Sequence, residues 1–309
     1  MAAAATPIKI ANTFGTINML MQGLMAQQKF LESFDIDPTI LKIADGSRIL
    51  AGIVGGSIQA TTMAGFGQVF PAIEHGAQIK ILAGGALPPT LAMYTSRPNI
   101  KTLKDLEGKT IGTGSVGALV WQLTVTLLKK YNVDISKVRF VNIGSSSDIF
   151  KAVSAGEIDA GAGEGAKLDE AAAFHVYPIE DGNMTINLPE YTYQGAWVSQ
   201  KMIDTNRDLL VRTLAAYAKL YRFVQNPSSK DAVLAAQRAV FSTGLDATSD
   251  AVWDYIQKYK PFAVDLVLSP ERLNYMQNLN IGFKVQTKIL PFDQVADMSI
   301  AKDAIKLLG

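Results

Sequence analysis

The stretch Ser47–Gly65, SRILAGIVGGSIQATTMAG, is echoed one hundred residues later by Ser147–Gly165, SDIFKAVSAGEIDAGAGEG. Ser, Ile, Gly, Ile, Ala and Gly recur in register at 47/147, 49/149, 56/156, 58/158, 60/160 and 65/165. Each copy reads as a helix, a Gly-x-Ile-x-Ala strand and a Gly-bearing loop. What precedes each copy matches too. Lys9–Gly15 and Thr110–Gly117 are each a short strand running into a turn, followed by a long helical pattern and a second strand. Two copies of one βαβαβ unit imply two similar lobes with a cleft between them, and such clefts bind small molecules.

Working outward, the strands are expected at Ile8–Asn12, Ile40–Ala44, Ile58–Met63, Ile79–Ala83, Leu91–Thr95, Lys109–Gly112, Val138–Asn142, Ile158–Gly161 and Tyr191–Ser199. Helices are expected at Thr16–Phe34, Ser47–Val54 (entered through Asp45-Gly46-Ser47), Gln68–His75, Val116–Tyr131, Asp148–Ala155, Ala166–Phe174 and Arg207–Gln225. Alternating strands and helices give an α/β chain with mixed, mostly parallel sheets. The second unit reads as an insertion. Lobe I comprises 6–98 plus 192–309, and lobe II comprises 99–191. The crossings near 95–99 and 190–194 form a restrained hinge, since neither is a Gly/Ser linker.

The chain has 309 residues, enough for two domains, and 48% of them are hydrophobic. A net charge of +1 gives no electrostatic reason to expect nucleic acid as a partner. No apolar run is long enough to cross a membrane. The absence of cysteine removes disulfides, thiolate metal sites and cysteine nucleophiles. The opening Met1–Pro7 lacks the basic start and apolar stretch of a signal peptide, and is read as standing where one has been replaced.

His75 and His175 each stand at a helix end, where a cation is mildly favoured, and neither has metal-ligand spacing. No metal and no cofactor is expected. Gly112–Gly117 fits G-x-G-x-x-G between a strand and a helix, but the next strand ends at Asn142–Ser145 without the acid a dinucleotide ribose needs. The milder reading is a helix start that holds an anion on its backbone N–H groups. Glu164, between Gly163 and Gly165, either faces the cleft or is a solvated loop carboxylate. Phe66, between Gly65 and Gly67, and Phe14, before Gly15, are expected to stack on a ligand. Trp197 either lines the same cleft or is a buried strand residue. Arg48 and Arg97 are candidate anion partners.

The opening Ala11–Gly15, the run IKTLKDLEGKTIG at Ile100–Gly112, AGEIDA at Ala155–Ala160 and LPFDQVAD at Leu290–Asp297 together resemble a known group. They are similar to the substrate-binding proteins of ABC importers for nitrate, sulfonate and taurine, a group that includes the thiamine-precursor (NMT1/THI5-like) binding proteins. The resemblance covers nearly the whole chain, in order. It implies a two-lobe fold of the type II periplasmic-binding-protein kind, export to the periplasm, a monomer, and a membrane permease as partner. It implies ligand capture by lobe closure, for which periplasmic binding proteins are a standard example. It also implies contacts from Asn12, Thr13 and Phe14, from Gly65 and Phe66, from Gly85, from Ser115 and Val116, and from the loop at Glu164. The related pyrimidine synthases carry a cysteine-rich motif that this chain lacks.

Helix starts near Thr13–Thr16 and Ser115–Gly117 would present free N–H groups and partial positive charge to the cleft. Hydroxyls on Thr13, Ser115 and Ser145 would add bonds, with Phe14, Phe66 and Trp197 against the ligand body. The expected ligand is a small organic anion, an aromatic carboxylate ahead of a taurine-like sulfonate. The alternative ligand is a pyrimidine thiamine precursor with its amine on Glu164. The alternative class is a dinucleotide- or pyrimidine-processing enzyme.

Overall fold

The computed structural model describes residues 4–13, 15–43 and 46–309. Ten strands are described: β1 (Thr6–Asn12), β2 (Ile36–Lys42), β3 (Thr61–Ala64), β4 (Ile79–Gly84), β5 (Leu91–Thr95), β6 (Thr110–Thr113), β7 (Arg139–Asn142), β8 (Ala160–Glu164), β9 (Tyr177–Asn183) and β10 (Gly195–Ser199). The helices of the first unit are α1 (Thr16–Gln27), α2 (Gly46–Val54) and α3 (Val69–Glu74). Those of the second are α4 (Leu119–Lys130), α5 (Ser146–Ser154) and α6 (Met184–Asn187). The C-terminal part adds α7 (Gln200–Val224), α8 (Lys230–Phe241), α9 (Leu245–Thr248), α10 (Ala251–Tyr259), α11 (Pro270–Gly282), α12 (Phe292–Val295) and α13 (Ser299–Leu308).

The echo in the sequence is an echo in topology. Strands β1 and β2 pair in parallel, and an Ile10–Ala60 bridge joins them to the sheet β3-β10-β4. The resulting order is β2-β1-β3-β10-β4. The second sheet runs β7-β6-β8-β5-β9. In both, the third and fourth strands of the unit flank one antiparallel strand, β10 in the first sheet and β5 in the second. Helices α2 and α5 lie one hundred residues apart, each burying an i, i+4 apolar pair: Ile49 with Ile53, and Ile149 with Val153. Helix α5 presses closely onto β8. A Cβ on Gly163 would sit 2.4 Å from the Phe150 ring, so only glycine fits there.

Several boundaries differ from the expectations. Strand β5, assigned to the first lobe, is hydrogen-bonded between β8 and β9, so the chain passes between sheets at 85–90 rather than 95–99. The run LAMYT is buried throughout and carries no mark of which sheet it completes. Strand β9 was not foreseen, because Tyr177–Asn183 is polar and half exposed. Gly163 and Glu164 lie within β8, not in a loop after it. Segment 165–174 is 3-10 helix, and α4 begins at Leu119 rather than Val116. The expected strand end at Ala44 and the cap residue Asp45 lie outside the described residues.

One buried side chain joins the ends of β1 and β3. Asn12 Oδ1 accepts from the N–H groups of Thr62 and Met63 at 2.9 and 2.8 Å and from the hydroxyls of Thr61 and Thr62 at 3.3 and 3.1 Å. Its Nδ2 donates to the Tyr217 hydroxyl on α7 at 3.2 Å. Expected as a ligand contact, Asn12 is a peg whose bonds lie inside the lobe, and it does not line the cavity described below. Asn12→Ala leaves two buried backbone N–H groups without an acceptor. It should cost about 2–4 kcal/mol in a urea unfolding series, with far-UV dichroism of the native state unchanged.

Candidate functional site

The C-terminal ends of β1 and β3 face those of β6, β7 and β8, and a cavity of about 50 Å³ lies between them. Three helices begin at its wall. Helix α1 starts after Gly15 and α4 after Ala118, and neither start has a side-chain cap. Helix α5 starts after Ser145, whose Oγ accepts from the Asp148 N–H at 3.2 Å. First-turn N–H groups have no partner within the helix, so three such ends concentrate donors and partial positive charge on one small volume. No lysine or arginine lines it among the described residues.

The first-lobe wall is built on Thr13. Its hydroxyl donates to the Met63 carbonyl at 3.1 Å and accepts from Asn18 Nδ2 at 3.2 Å and Gln194 Nε2 at 3.4 Å. That fixes the Gln194 amide. Its nitrogen faces Thr13, and its buried Oε1 has no hydrogen-bond partner among the described residues. Gln194 and Tyr193 reach the cavity from the segment leading into β10, and Thr90 from the segment leading into β5.

Glu164 closes the second-lobe wall. It is 3% exposed. Its Oε1 accepts from the Ser146 hydroxyl at 3.3 Å and from the Thr16 N–H at the start of α1. Its Oε2 is buried without a partner among the described residues. The contact with α1 is tight: a Cβ on Gly15 would come within 2.5 Å of Oε1, so a larger residue there would displace the carboxyl. Burial pushes the carboxyl up to about 7, outweighing the attraction of Lys167 and the bonds from Ser146 and Thr16, with Asp246 adding to the rise. The Lys167 ammonium is itself ion-paired with Asp246 and lies over the rings of Phe174 and Phe150, 4.4 and 5.6 Å from their centroids.

Of the expected contacts, Thr13, Gly65, Ser145 and Glu164 line the cavity. Phe66 does not. It is fully buried, packed edge-to-face on Phe70 with centroids 5.9 Å apart and against Gly195. Gly-flanking marked it as a loop residue, but the chain turns it inward. Trp197 is a fully buried β10 residue pairing with Ile81 and Thr61. Ser115 and Val116 belong to a turn before α4. The Ser115 hydroxyl accepts from Asn142 Nδ2, Val116 is 77% exposed, and neither caps the helix. Gly85 is held by backbone bonds to Gln194 and Ala263 and does not reach the cavity wall. Phe14 lies outside the described residues. Among the described lining residues, Tyr193 is the one aromatic. Arg97 is occupied with Asp159 and the Gly156 carbonyl.

Reading the sequence did not single out Asn18, Thr90, Ser146, Tyr193 or Gln194 as site residues. A signal existed for Gln194, a polar side chain in the otherwise apolar run into Gly195-Ala196-Trp197-Val198. The described residues hold no group of three or more His, Asp or Glu placed to hold a metal. No helix among them is long and apolar enough to cross a membrane.

A family model described as NMT1/THI5 like matches residues 22–229. No curated protein matches the chain. Among solved structures, the chain is similar to the alkanesulfonate-binding protein SsuA from Xanthomonas axonopodis pv. citri bound to MOPS. The identity is 17%, the TM-score 0.76, and the match covers 95% of this chain and 99% of that one. It is also similar to the periplasmic nitrate-binding protein NrtA from Synechocystis PCC 6803, at 10% identity and TM-score 0.78, over 99% and 90% of the two chains. A variant of DszB in complex with biphenyl-2-sulfinic acid matches at 14% identity and TM-score 0.65, over 98% and 99%. The shared architecture is the α/β periplasmic-binding-protein fold.

Two consequences can be measured on the ligand-free protein. Phe66→Ala should cost about 3–5 kcal/mol of stability in chemical denaturation, as for a core aromatic. Glu164 rises from 4.5 to about 7 on burial, so its ionised form opposes folding. The penalty grows as pH rises from 4.5 to about 7 and is then constant, on the order of 3 kcal/mol. Glu164→Gln should therefore raise the melting temperature more at pH 8 than at pH 5, by scanning calorimetry.

Proposed function

The chain belongs to the NMT1/THI5-like family, and we propose that it is the solute-binding component of an ABC uptake system. In this reading it takes a small anion between its two lobes in the periplasm and delivers it, as a monomer, to a membrane permease. The observation that carries the reading is the convergence of three helix starts, α1 from one lobe and α4 and α5 from the other, on one cavity. Backbone donors supplied from both sides give an anion more bonds when the lobes are together, which is how a ligand drives closure. The alkanesulfonate and nitrate ligands of proteins sharing the fold support the same class.

Size narrows the choice. A cavity of about 50 Å³ is well below the roughly 150 Å³ that takes a benzene. The aromatic wall expected from Phe66 and Trp197 is in the core instead. We therefore place a short sulfonate or a nitrate-sized oxyanion ahead of the aromatic carboxylate that the sequence favoured. Gln194 Oε1 and Glu164 Oε2, two buried acceptors without partners, favour a second reading in which a pyrimidine precursor donates its amine. We also propose that the lobes are 6–84 with 195–309 and 91–183, hinged at the two crossings between them. Capture involves no chemistry on the ligand. The fold alone does not distinguish capture from chemistry, which makes that a separate claim to test.

The test is a thermal-shift and calorimetric screen with methanesulfonate, taurine, nitrate, benzoate and aminopyrimidines. A small anion should raise the melting temperature in proportion to log concentration, since it binds the native state. It should also contract the radius of gyration in solution scattering and be recovered unchanged. A response to aminopyrimidines alone would overturn the anion reading, and a converted ligand would overturn the non-enzymatic one.

A further inference from the structure

Glu164 sets an apparent contradiction at the centre of the site. Three helix starts make the cavity attractive to an anion, yet a carboxyl group occupies the same wall, buried, with one oxygen unpartnered. An ionised carboxylate there would repel the ligand and leave Oε2 stripped of water with nothing in return. The charged groups around it do not remove the difficulty. Lys167, from the segment following β8, is the nearest cation, but it is paired with Asp246 on α9. With all three ionised, the trio carries one net negative charge. From β5, the β10 approach and α10, the groups facing Glu164 are the hydroxyls of Tyr94, Tyr193 and Tyr255, which cannot neutralise it. The Tyr94 hydroxyl is spent on the Glu164 carbonyl at 2.7 Å. Lys151 and His175 line the groove behind Glu164, away from the cavity wall.

We propose that Glu164 enters the closed cleft as the neutral acid and that its Oε2–H donates to the bound anion, so that capture takes up a proton wherever the free carboxyl is ionised. This rests on the anion reading above. The chemistry balances simply. A proton from solvent adds to the Oε2 carboxylate oxygen, Oε1 keeps its bonds from Ser146 and Thr16, and the atom that had no partner becomes a donor. Burial already favours the protonated form, and the anion's charge favours it further. Glu164 then acts as the specificity gate of the site. It rewards an anion by a hydrogen bond only at the cost of a proton, whereas an amine ligand would demand the ionised carboxylate and release one.

Methanesulfonate is the suitable probe, because it stays fully ionised throughout the pH range used. Calorimetry in two buffers of different ionisation enthalpy should show about half a proton taken up per ligand near pH 7, rising close to one at pH 8. Affinity should fall about tenfold from pH 6 to pH 8, the direction set by a carboxyl whose bound-state pKa lies above its free value. Glu164→Gln should abolish the proton uptake and flatten the pH profile. Binding by the wild type with no proton exchange, or with proton release, would overturn the proposal even if the variant fails to fold. Absence of binding at both pH 6 and pH 8 would instead fail the anion reading on which it stands, and shows as no heat at all.

Discussion

The two chain crossings between the sheets are bonded to each other, and the site depends on that pairing. The Gly85 N–H donates to the Gln194 carbonyl at 2.8 Å, the Gln194 N–H to Ala86 at 2.9 Å and the Tyr193 N–H to Leu87 at 2.9 Å. The pair is fastened in turn to the C-terminal segment, through Leu87 N–H to Pro261 and Ala263 N–H to Gly85, both at 2.8 Å. A ribbon of this kind twists and bends but does not stretch, which suits it to the hinge proposed above. The same ribbon delivers Thr90, Tyr193 and Gln194 to the cavity wall. The parts that would move and the parts that would bind are joined by one set of backbone bonds.

Around that ribbon, the site uses backbone rather than side-chain charge. Helix starts supply donors without the desolvation cost of burying a lysine or arginine. Contacts between the lobes flank the cavity. On one side Gln122 of α4 donates to Asn280 of α11, which donates to the Gly67 carbonyl, at 2.8 and 2.7 Å. On the other, Lys167 and Glu170 meet Asp246 and Ser249. The first of these is a buried network with its groups satisfied, which favours one packing of α4 against α11. The second is partly exposed and adds less. Glu164 lies between them and is the one carboxylate whose buried oxygen lacks a protein partner among the described residues.

Sequence by itself determined the α/β class, the duplication and the positions of most elements. It did so because a 3.6-residue or two-residue apolar period is a local property. The one-hundred-residue echo survives as α2 against α5 and β3 against β8. Thr13, Gly65, Ser145 and Glu164, expected as ligand contacts, line the cavity, since the C-terminal ends of strands in such units face the cleft. Tertiary structure alone decided which sheet β5 completes, because a fully buried strand reads the same in either. It decided that Phe66 and Trp197 pack inward, because a glycine-flanked aromatic such as Phe66 can turn to either side of its chain and a strand residue such as Trp197 can face either side of its sheet. It also decided that Glu164 is buried and half-partnered. Burial and the approach of Gly15, Ser146 and Lys167 come from three separate parts of the chain, and no local pattern encodes their meeting.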